Sequence, residues 1–339
     1  MPQALDRFFD TPELHFLAFN QDDALFIRMD RASYHRSIFL DRRISSLDSE
    51  PIRTSVAPLL AAARERTIPR TGWTFHVAHC GSTLLARLID RPQSGLVLRE
   101  PPPLRQLGVL AAGRSISDNW PDRLKLAYAM VARRFEPSQP TVVKANVPVS
   151  FIVPQILEFD PGAPVILLYL ALEPYLLAIL REPRRRDWVN RVTRLLEPAL
   201  AAKVGLCPRS DTVERAAALW LAQMLMFDAV LGSNPCVRSL DAEEFFMSPA
   251  KAAEAAAMHF GLSITDVSDS LDELTSTHSK DPSQPFSEAA RRQRQKDSRI
   301  VLRDDLRRAR RWIEQAAASK DLPRSLDQPL FGTSSLLLG

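Results

Sequence analysis

Apolar residues along this chain fall into short unbroken runs separated by stretches with helical spacing. The runs WTFHVAH (Trp73–His79), GLVLR (Gly95–Arg99), PTVVKANVP (Pro140–Pro148), APVILLYL (Ala163–Leu170) and CVRSLD (Cys236–Asp241) read as strands. Continuous apolar strands belong to a parallel sheet buried on both faces, whereas a half-exposed sheet would alternate. Between them, TLLARLID (Thr83–Asp90), Asp122–Phe135, EPYLLAILREP (Glu173–Pro183), Ser210–Gly232 and Ser248–Leu262 carry helical spacing. Ser210 or Asp211 and Ser248 are the expected caps, and Gly232 and Gly261 the expected stops. Strand and helix alternating in this way predict an α/β fold, with a mainly parallel sheet inside three α/β/α layers.

The flanks read differently. LHFLAF (Leu14–Phe19) and ALFIRM (Ala24–Met29), parted by NQDD, predict a hairpin, and Val56–Thr67 a short helix. Residues 1–70 are therefore expected to form a strand-and-helix extension packed on a 71–265 core. After Ser263 the chain turns polar and basic, and one helix is expected across Ser287–Ala318 in a 266–339 extension.

Composition narrows the function only a little. A net charge of +4 over 339 residues suits an anionic small ligand, not the basic stripe of a nucleic-acid-binding protein. Only seven of the 44 basic residues are lysine, so each lysine is informative. Cys80, Cys207 and Cys236 are far apart and odd in number, which fits a reducing cytoplasm. MPQALDRFFD lacks the basic and apolar segments of a signal peptide, and no run of eighteen apolar residues predicts a membrane span.

The chemistry centres on TFHVAHCGSTLLARLID (Thr74–Asp90). A cysteine phosphatase loop would need Cys-x5-Arg, but Cys80 and Arg87 are spaced Cys-x6-Arg. The intervening leucines are helical, and one extra helical residue turns a side chain by about 100° and lifts it by about 1.5 Å. The better reading is an anion cradle. Gly81 lets the backbone approach, Ser82 and Thr83 add hydroxyl donors, and a new helix offers unpaired N–H groups and its positive dipole end. Without G-x-x-x-x-G-K-[ST] it is not a Walker A loop. No metal ion is expected.

In this frame the chain resembles the P-loop-type sulfotransferases, as a divergent bacterial member. HCGST (His79–Thr83) matches their 5′-phosphosulfate loop, and Lys144-Ala145-Asn146-Val147-Pro148 their Lys-Thr-His-x-Pro strand end. Leu172-Glu173-Pro174 matches their Arg-x-Pro, and VRSLDAEEFFMSPAKAAEAAAMHFGL their late strand and Phe-x-Gly-Leu helix. The likeness spans Trp73 to Leu262. It implies sulfuryl transfer from 3′-phosphoadenosine 5′-phosphosulfate to a hydroxyl or amine of a small molecule or peptide, with a homodimer left open. It also implies donor contacts from His79, Cys80, Gly81, Ser82, Thr83 and Leu84. The family's loop cation is His79 here, its catalytic histidine is Asn146, and its 3′-phosphate arginine and serine fall on Leu172 and Leu180. Arg-x-Pro recurs at Arg181–Pro183, where the sequence reads as helix interior. Arg181, Arg184, Arg185 and the C-terminal Lys280, Arg291 and Arg292 are the cations that could compensate.

Three residues then carry the expected reaction. His79 can donate to the bridging oxygen of the donor. Lys144 ends a buried strand, where a charge needs a partner or an anion. Glu100, held in a turn by Pro101–Pro103, is the candidate general base. The rivals are a P-loop kinase-like phosphotransferase using ATP, and a binding protein that kept the fold without the chemistry.

Overall fold

The computed structural model describes residues 5–91, 93–113, 116–205, 211–264, 267 and 288–339. Five strands build the central sheet: β4 (Thr71–His76), β5 (Leu96–Arg99), β6 (Thr141–Lys144), β7 (Val165–Tyr169) and β8 (Val237–Asp241). All pair in parallel, in the order β5-β6-β4-β7-β8. Every residue of β4 through β7 is buried, as two covered faces require.

The first core strand, β4, lies in the middle. From it the chain crosses over β6 to the edge at β5, returns to β6, and then passes β4 to reach β7 and β8. Right-handed crossovers put the helix after β4 on one face and the helices after β5, β6 and β7 on the other. The sheet is thus a three-layer α/β/α sandwich. Its winding reverses beside β4, and the crevice at the carboxyl ends of the strands opens there. The helix after β4 is α3 (Ser82–Ile89), and α12 (Pro249–Phe260) packs beside it. Opposite lie α4 (Pro102–Ala112), α5 (Trp120–Val131), a 3₁₀ turn (Val147–Ile152), α6 (Val153–Phe159) and α7 (Leu172–Leu180), followed by α8 (Pro183–Leu195) and α9 (Glu197–Val204).

The long helix α10 (Thr212–Ser233) is apolar enough to cross a membrane by length and composition, but most of it is buried in the protein interior. Asp211 caps it through Val213 N–H (2.6 Å) and Glu214 N–H (3.3 Å). Gly232 does not stop it; the helix runs on to Ser233, and extended Asn234 ends it. Ser248 occupies the cap position of α12 without a side-chain hydrogen bond, while Gly261, at φ +71°, closes that helix as expected.

The expected hairpin in the first seventy residues is present, and a third strand joins it. β1 (Leu14–Asn20), β2 (Asp23–Arg28) and β3 (Ile52–Ser55) form an antiparallel sheet, with α1 (Arg31–Arg36) and α2 (Val56–Arg64). Two buried arginines fasten this layer to the core by gripping backbone carbonyls. Arg133 donates to the carbonyls of Met130 (2.7 Å), Phe8 (2.7 Å), Thr11 (3.0 Å) and Leu14 (2.8 Å). Arg99 donates to those of Tyr34, His35 and Ser37, and to Asp90 at 2.6 Å. Arg99 is therefore a buried clamp.

At the other end, the helix expected across Ser287–Ala318 is two helices, α13 (Glu288–Val301) and α14 (Arg303–Ala317), broken at Leu302. Beyond them residues 327–330 run parallel to the free edge of β8. Ser239 N–H donates to Gln328 O (3.0 Å), and Leu330 N–H donates to Ser239 O (2.7 Å). The chain then crosses the carboxyl ends of β8 and β7. Ser335 N–H meets the Asp241 carboxylate at 3.1 Å, and Leu337 is fully buried.

Candidate functional site

The loop between β4 and α3 is fixed from below. Val77 N–H extends the sheet pairing to Leu168 O (3.1 Å), and the Cys80 thiol donates back to Val77 O at 2.7 Å. Cys80 is fully buried beside Tyr175, whose phenol burial pushes far up, with Cys80 adding to the shift. A thiol so placed stabilises the turn and is not aimed at a ligand. Arg87 sits in the last turn of α3, well along the helix from Cys80, as the rejection of the phosphatase reading requires.

Above this base the chain turns sharply. His79 has φ +61°, a rare conformation for a residue with a Cβ, and Gly81 follows at φ +85° as the N-cap of α3. Leu85 N–H makes the helix's first bond, to Gly81 O at 3.0 Å. The amides of Ser82, Thr83 and Leu84 therefore precede the first intrahelical bond. Leu84 can serve an anion only by its amide, because its side chain is in the core. The Thr83 hydroxyl is buried and has no hydrogen-bond partner among the described residues. Such an orphaned polar atom at a helix start fits an anion acceptor. Gly81 is required twice over: a Cβ there would also lie 2.8 Å from the Phe246 ring and 3.0 Å from Phe245. Both rings belong to α11 (Ala242–Met247), which roofs the loop.

Lys144 and Glu100 meet at the neighbouring strand ends. Arg99 and Lys144 are register partners, and Glu100 N–H continues the pairing to Lys144 O at 2.8 Å. Glu100 then turns out of the sheet at φ +62°, and its carboxylate forms a close ion pair with the Lys144 ammonium. Lys144 is buried, whereas Glu100 reaches partly into solvent. Four non-glycine residues have positive φ among those described, and His79 and Glu100 are two of them. Backbone strain of this kind concentrates at functional sites. Asn146 lies just beyond Lys144, buried, with Oδ1 lacking a partner among the described residues.

The N-terminal layer completes this mouth. Leu40 N–H bonds Arg99 O at 2.9 Å and brings Phe39 over the Lys144 ammonium, 5.2 Å from the ring centre. Arg43 stacks on the outer side of Phe39 at 4.0 Å. Its charge is held chiefly by the Asp41 hydrogen bond, and Glu100 adds to it. Sequence reasoning missed Phe39 and Arg43; only the fold brings them to Glu100.

The other expected cations fare differently. Arg291 pairs with Glu243 (2.6 Å) and Glu288 (2.8 Å) and stacks on Phe246 at 4.5 Å, so it braces the roof of the loop. Arg292 pairs with Glu288. Lys280 lies outside the described residues. Arg181 is not inside a helix: it caps α7, and Pro183 opens α8. Leu172 and Leu180 are buried core residues. The Leu172 amide, at the start of α7, donates to Leu337 O at 2.9 Å. A carbonyl of the chain itself thus takes the Leu172 amide at the end of β7, which is then not available to an anion. Among the described residues no three of His, Cys, Asp and Glu converge as metal ligands. No known family model matches the chain, and no curated protein resembles it at a significant level.

Proposed function

We propose that this protein is a sulfotransferase-like enzyme that moves a sulfuryl group from a 3′-phosphoadenosine 5′-phosphosulfate-type donor to a hydroxyl or amine. One observation carries the reading: a strained strand-loop-helix at the winding reversal of the sheet stands one strand away from a buried Lys144–Glu100 pair. The donor would supply the activated sulfuryl group. The amides of Ser82, Thr83 and Leu84 and the Thr83 hydroxyl hold an anionic oxygen in place without reorganisation. Lys144 offers positive charge from a dry position, and His79 a ring N–H at the loop's outer edge. Glu100, reaching solvent, takes the proton of the acceptor hydroxyl. Such a transfer asks for positioning and charge more than covalent help. Phe39 and Arg43 shape the acceptor side, which suits a small molecule or peptide with an anionic group. A cytoplasmic setting is part of the proposal; Cys80 and Cys236 are free thiols among the described residues, a state that a reducing compartment would maintain.

Isothermal titration with 3′-phosphoadenosine 5′-phosphate, followed by transfer of labelled sulfate to a panel of phenols and amines, tests the reading. Binding that Thr83→Val weakens, with transfer lost in Glu100→Gln, is the expected result. No binding at millimolar ligand sinks it. The Leu337 carbonyl on the Leu172 amide favours a second reading, a binding protein of the same architecture without transfer. Nucleotide binding without any transfer to the panel would select that one.

A further inference from the structure

The central sheet has an opening at the end opposite the loop. Residues 65–69 lead into β4, residues 133–137 lead toward β6, and the two strands are parallel neighbours. Between these segments and Phe9 and Asp10 of the N-terminal layer lies a cavity of about 610 Å³. β4 is six residues long, so about 20 Å of strand separates the cavity from the β4–α3 loop. Small-molecule sites occupy about 300–1,000 Å³, and this cavity falls inside that range. Phe9, Ile68, Pro69, Ala129, Phe135 and Pro137 give it an apolar wall.

Three arginines, Arg66, Arg133 and Arg134, line the same space. Arg133 is buried, and its Nε and Nη1 are spent on the four carbonyls of the clamp. Its Nη2 makes no hydrogen bond among the described residues. Arg134 donates to Pro137 O at 3.0 Å and to Arg70 O at 2.6 Å. Neither has a carboxylate partner among the described residues, and burial lowers both, Arg133 to about 10. Neutral carbonyls orient a guanidinium but do not balance its charge, and an unbalanced cation away from water is costly. Arg66 does have a carboxylate, Asp6, and stacks on Phe9 at 4.4 Å. That ion pair is partly exposed and therefore weak, so Arg66 can be shared with a second anion.

The rim limits what enters. Asp10 and Glu65 line the cavity and are exposed, so water screens their charge from buried Arg133. A phosphate dianion passing them would still meet two like charges. A single negative charge suits the arginines better, and a planar carboxylate matches the guanidinium fork.

We infer that this cavity binds a small molecule that carries one carboxylate on an apolar, ring-sized body. The carboxylate accepts from Arg133 Nη2 and shares Arg66 with Asp6, and the body lies against Ile68, Phe135 and Pro137. Such a ligand touches the N-terminal layer and the core at once. It uses no residue of the β4–α3 loop or of the Lys144–Glu100 pair, and it does not rest on the transfer reaction proposed above.

Calorimetric titration of the full-length protein with naphthalene-2-carboxylate tests this, with naphthalene-2-carboxamide as the neutral isostere. The carboxylate binds, and the amide binds about tenfold more weakly, the worth of one charge-assisted hydrogen bond. In the native chain, hydrogen exchange read on peptides slows at residues 65–70 and 133–137, a readout that needs no variant. Arg66→Gln weakens the carboxylate by about tenfold, and Thr83→Val leaves it unchanged. Where Arg66→Gln also lowers the unfolding midpoint, the native-chain exchange pattern decides. No binding at millimolar carboxylate overturns the site, as does equal binding of the amide. Slowed exchange confined to residues 77–84, or affinity lost in Thr83→Val, also overturns it by placing the ligand at the loop. Displacement by inorganic phosphate at equal ionic strength would refute the choice of a single carboxylate.

Discussion

The Lys144 ammonium is buried beneath the Phe39 ring, and the carboxylate paired with it among the described residues, Glu100, keeps an edge in water. The two members of this ion pair are therefore unequal. Removing Glu100 leaves a cation in a dry site, whereas removing Lys144 leaves an anion that can hydrate.

Stability should record that inequality. Glu100→Ala is expected to cost about 3 kcal/mol, the penalty of stranding a buried charge, and Lys144→Met about 1 kcal/mol or less. The double variant should be more stable than Glu100→Ala alone, because the stranded charge is gone. Urea unfolding of the three variants measures the order. A Lys144→Met loss as large as that of Glu100→Ala would contradict the stated burial.

Gly81 and Gly261 provide a matched pair for the loop. Both have positive φ, but a Cβ on Gly261 meets nothing within 4 Å, while one on Gly81 meets Phe246 at 2.8 Å. Gly261→Ala should cost about 1 kcal/mol, the backbone term alone. Gly81→Ala should cost more, and Phe246→Ala in the same chain should recover part of the excess. Thermal unfolding separates the two terms, and equal losses at both glycines would refute the close approach of Phe246.

Much of the core was legible because its cause is local. Strands buried on both faces must be continuously apolar, and the Gly-Ser-Thr loop sits where a strand becomes a helix. Asp211 was readable as a cap because a short acidic side chain before an apolar helix has one obvious task. β3 was not legible: Ile52–Ser55 is a short edge strand that alternates, with polar flanks. α8 was missed although Val189, Val192 and Leu196 mark an inward stripe, since three arginines after Pro183 mask it. The carbonyl grips of Arg99 and Arg133 leave no pattern, because a backbone oxygen is the same at every residue. The filling of the β7 strand end by Leu337 is a contact between residues 165 positions apart in sequence, and its hydrogen bond is made by backbone atoms that carry no sequence signal. At the site, Glu100 and Lys144 were separately visible, but their pairing needed the β5–β6 register.

Arg133 offers a test of how the N-terminal layer is attached. Arg133→Met removes the donor to the carbonyls of Phe8, Thr11 and Leu14 at once. An unsatisfied buried carbonyl costs about 1–3 kcal/mol, so the layer should loosen by several kcal/mol in all. Limited proteolysis should then cut first within residues 1–70 while the 71–265 core persists. Arg133→Lys should rescue little, because Nη1 alone makes the three bonds, the shorter lysine chain ends one bond before that position, and the Nε–H bond to Met130 O is lost as well. Uniform cleavage across the chain would show that the clamp is not what holds the layer.

His15 gives the fold a pH limit. It is buried on β1 against the edge of Tyr34, and burial, with Arg133 adding, pushes its imidazole down to about 3 from the ordinary 6.5. The native ring is thus neutral across the range from 3 to 6.5, while the unfolded chain takes up a proton there. More protons on the unfolded state mean that stability rises with pH, so this contribution is complete above 6.5 and is lost as the pH falls toward 3. The slope attributable to His15 approaches about 1.4 kcal/mol per pH unit at the steepest. Urea unfolding at a series of pH values, for the native chain and for His15→Gln, isolates it: the variant should be less stable at neutral pH and flatter below it. Parallel curves for the two proteins would mean that His15 takes its proton in the folded state as readily as in the unfolded one, and that the packing of β1 against Tyr34 tolerates the charge.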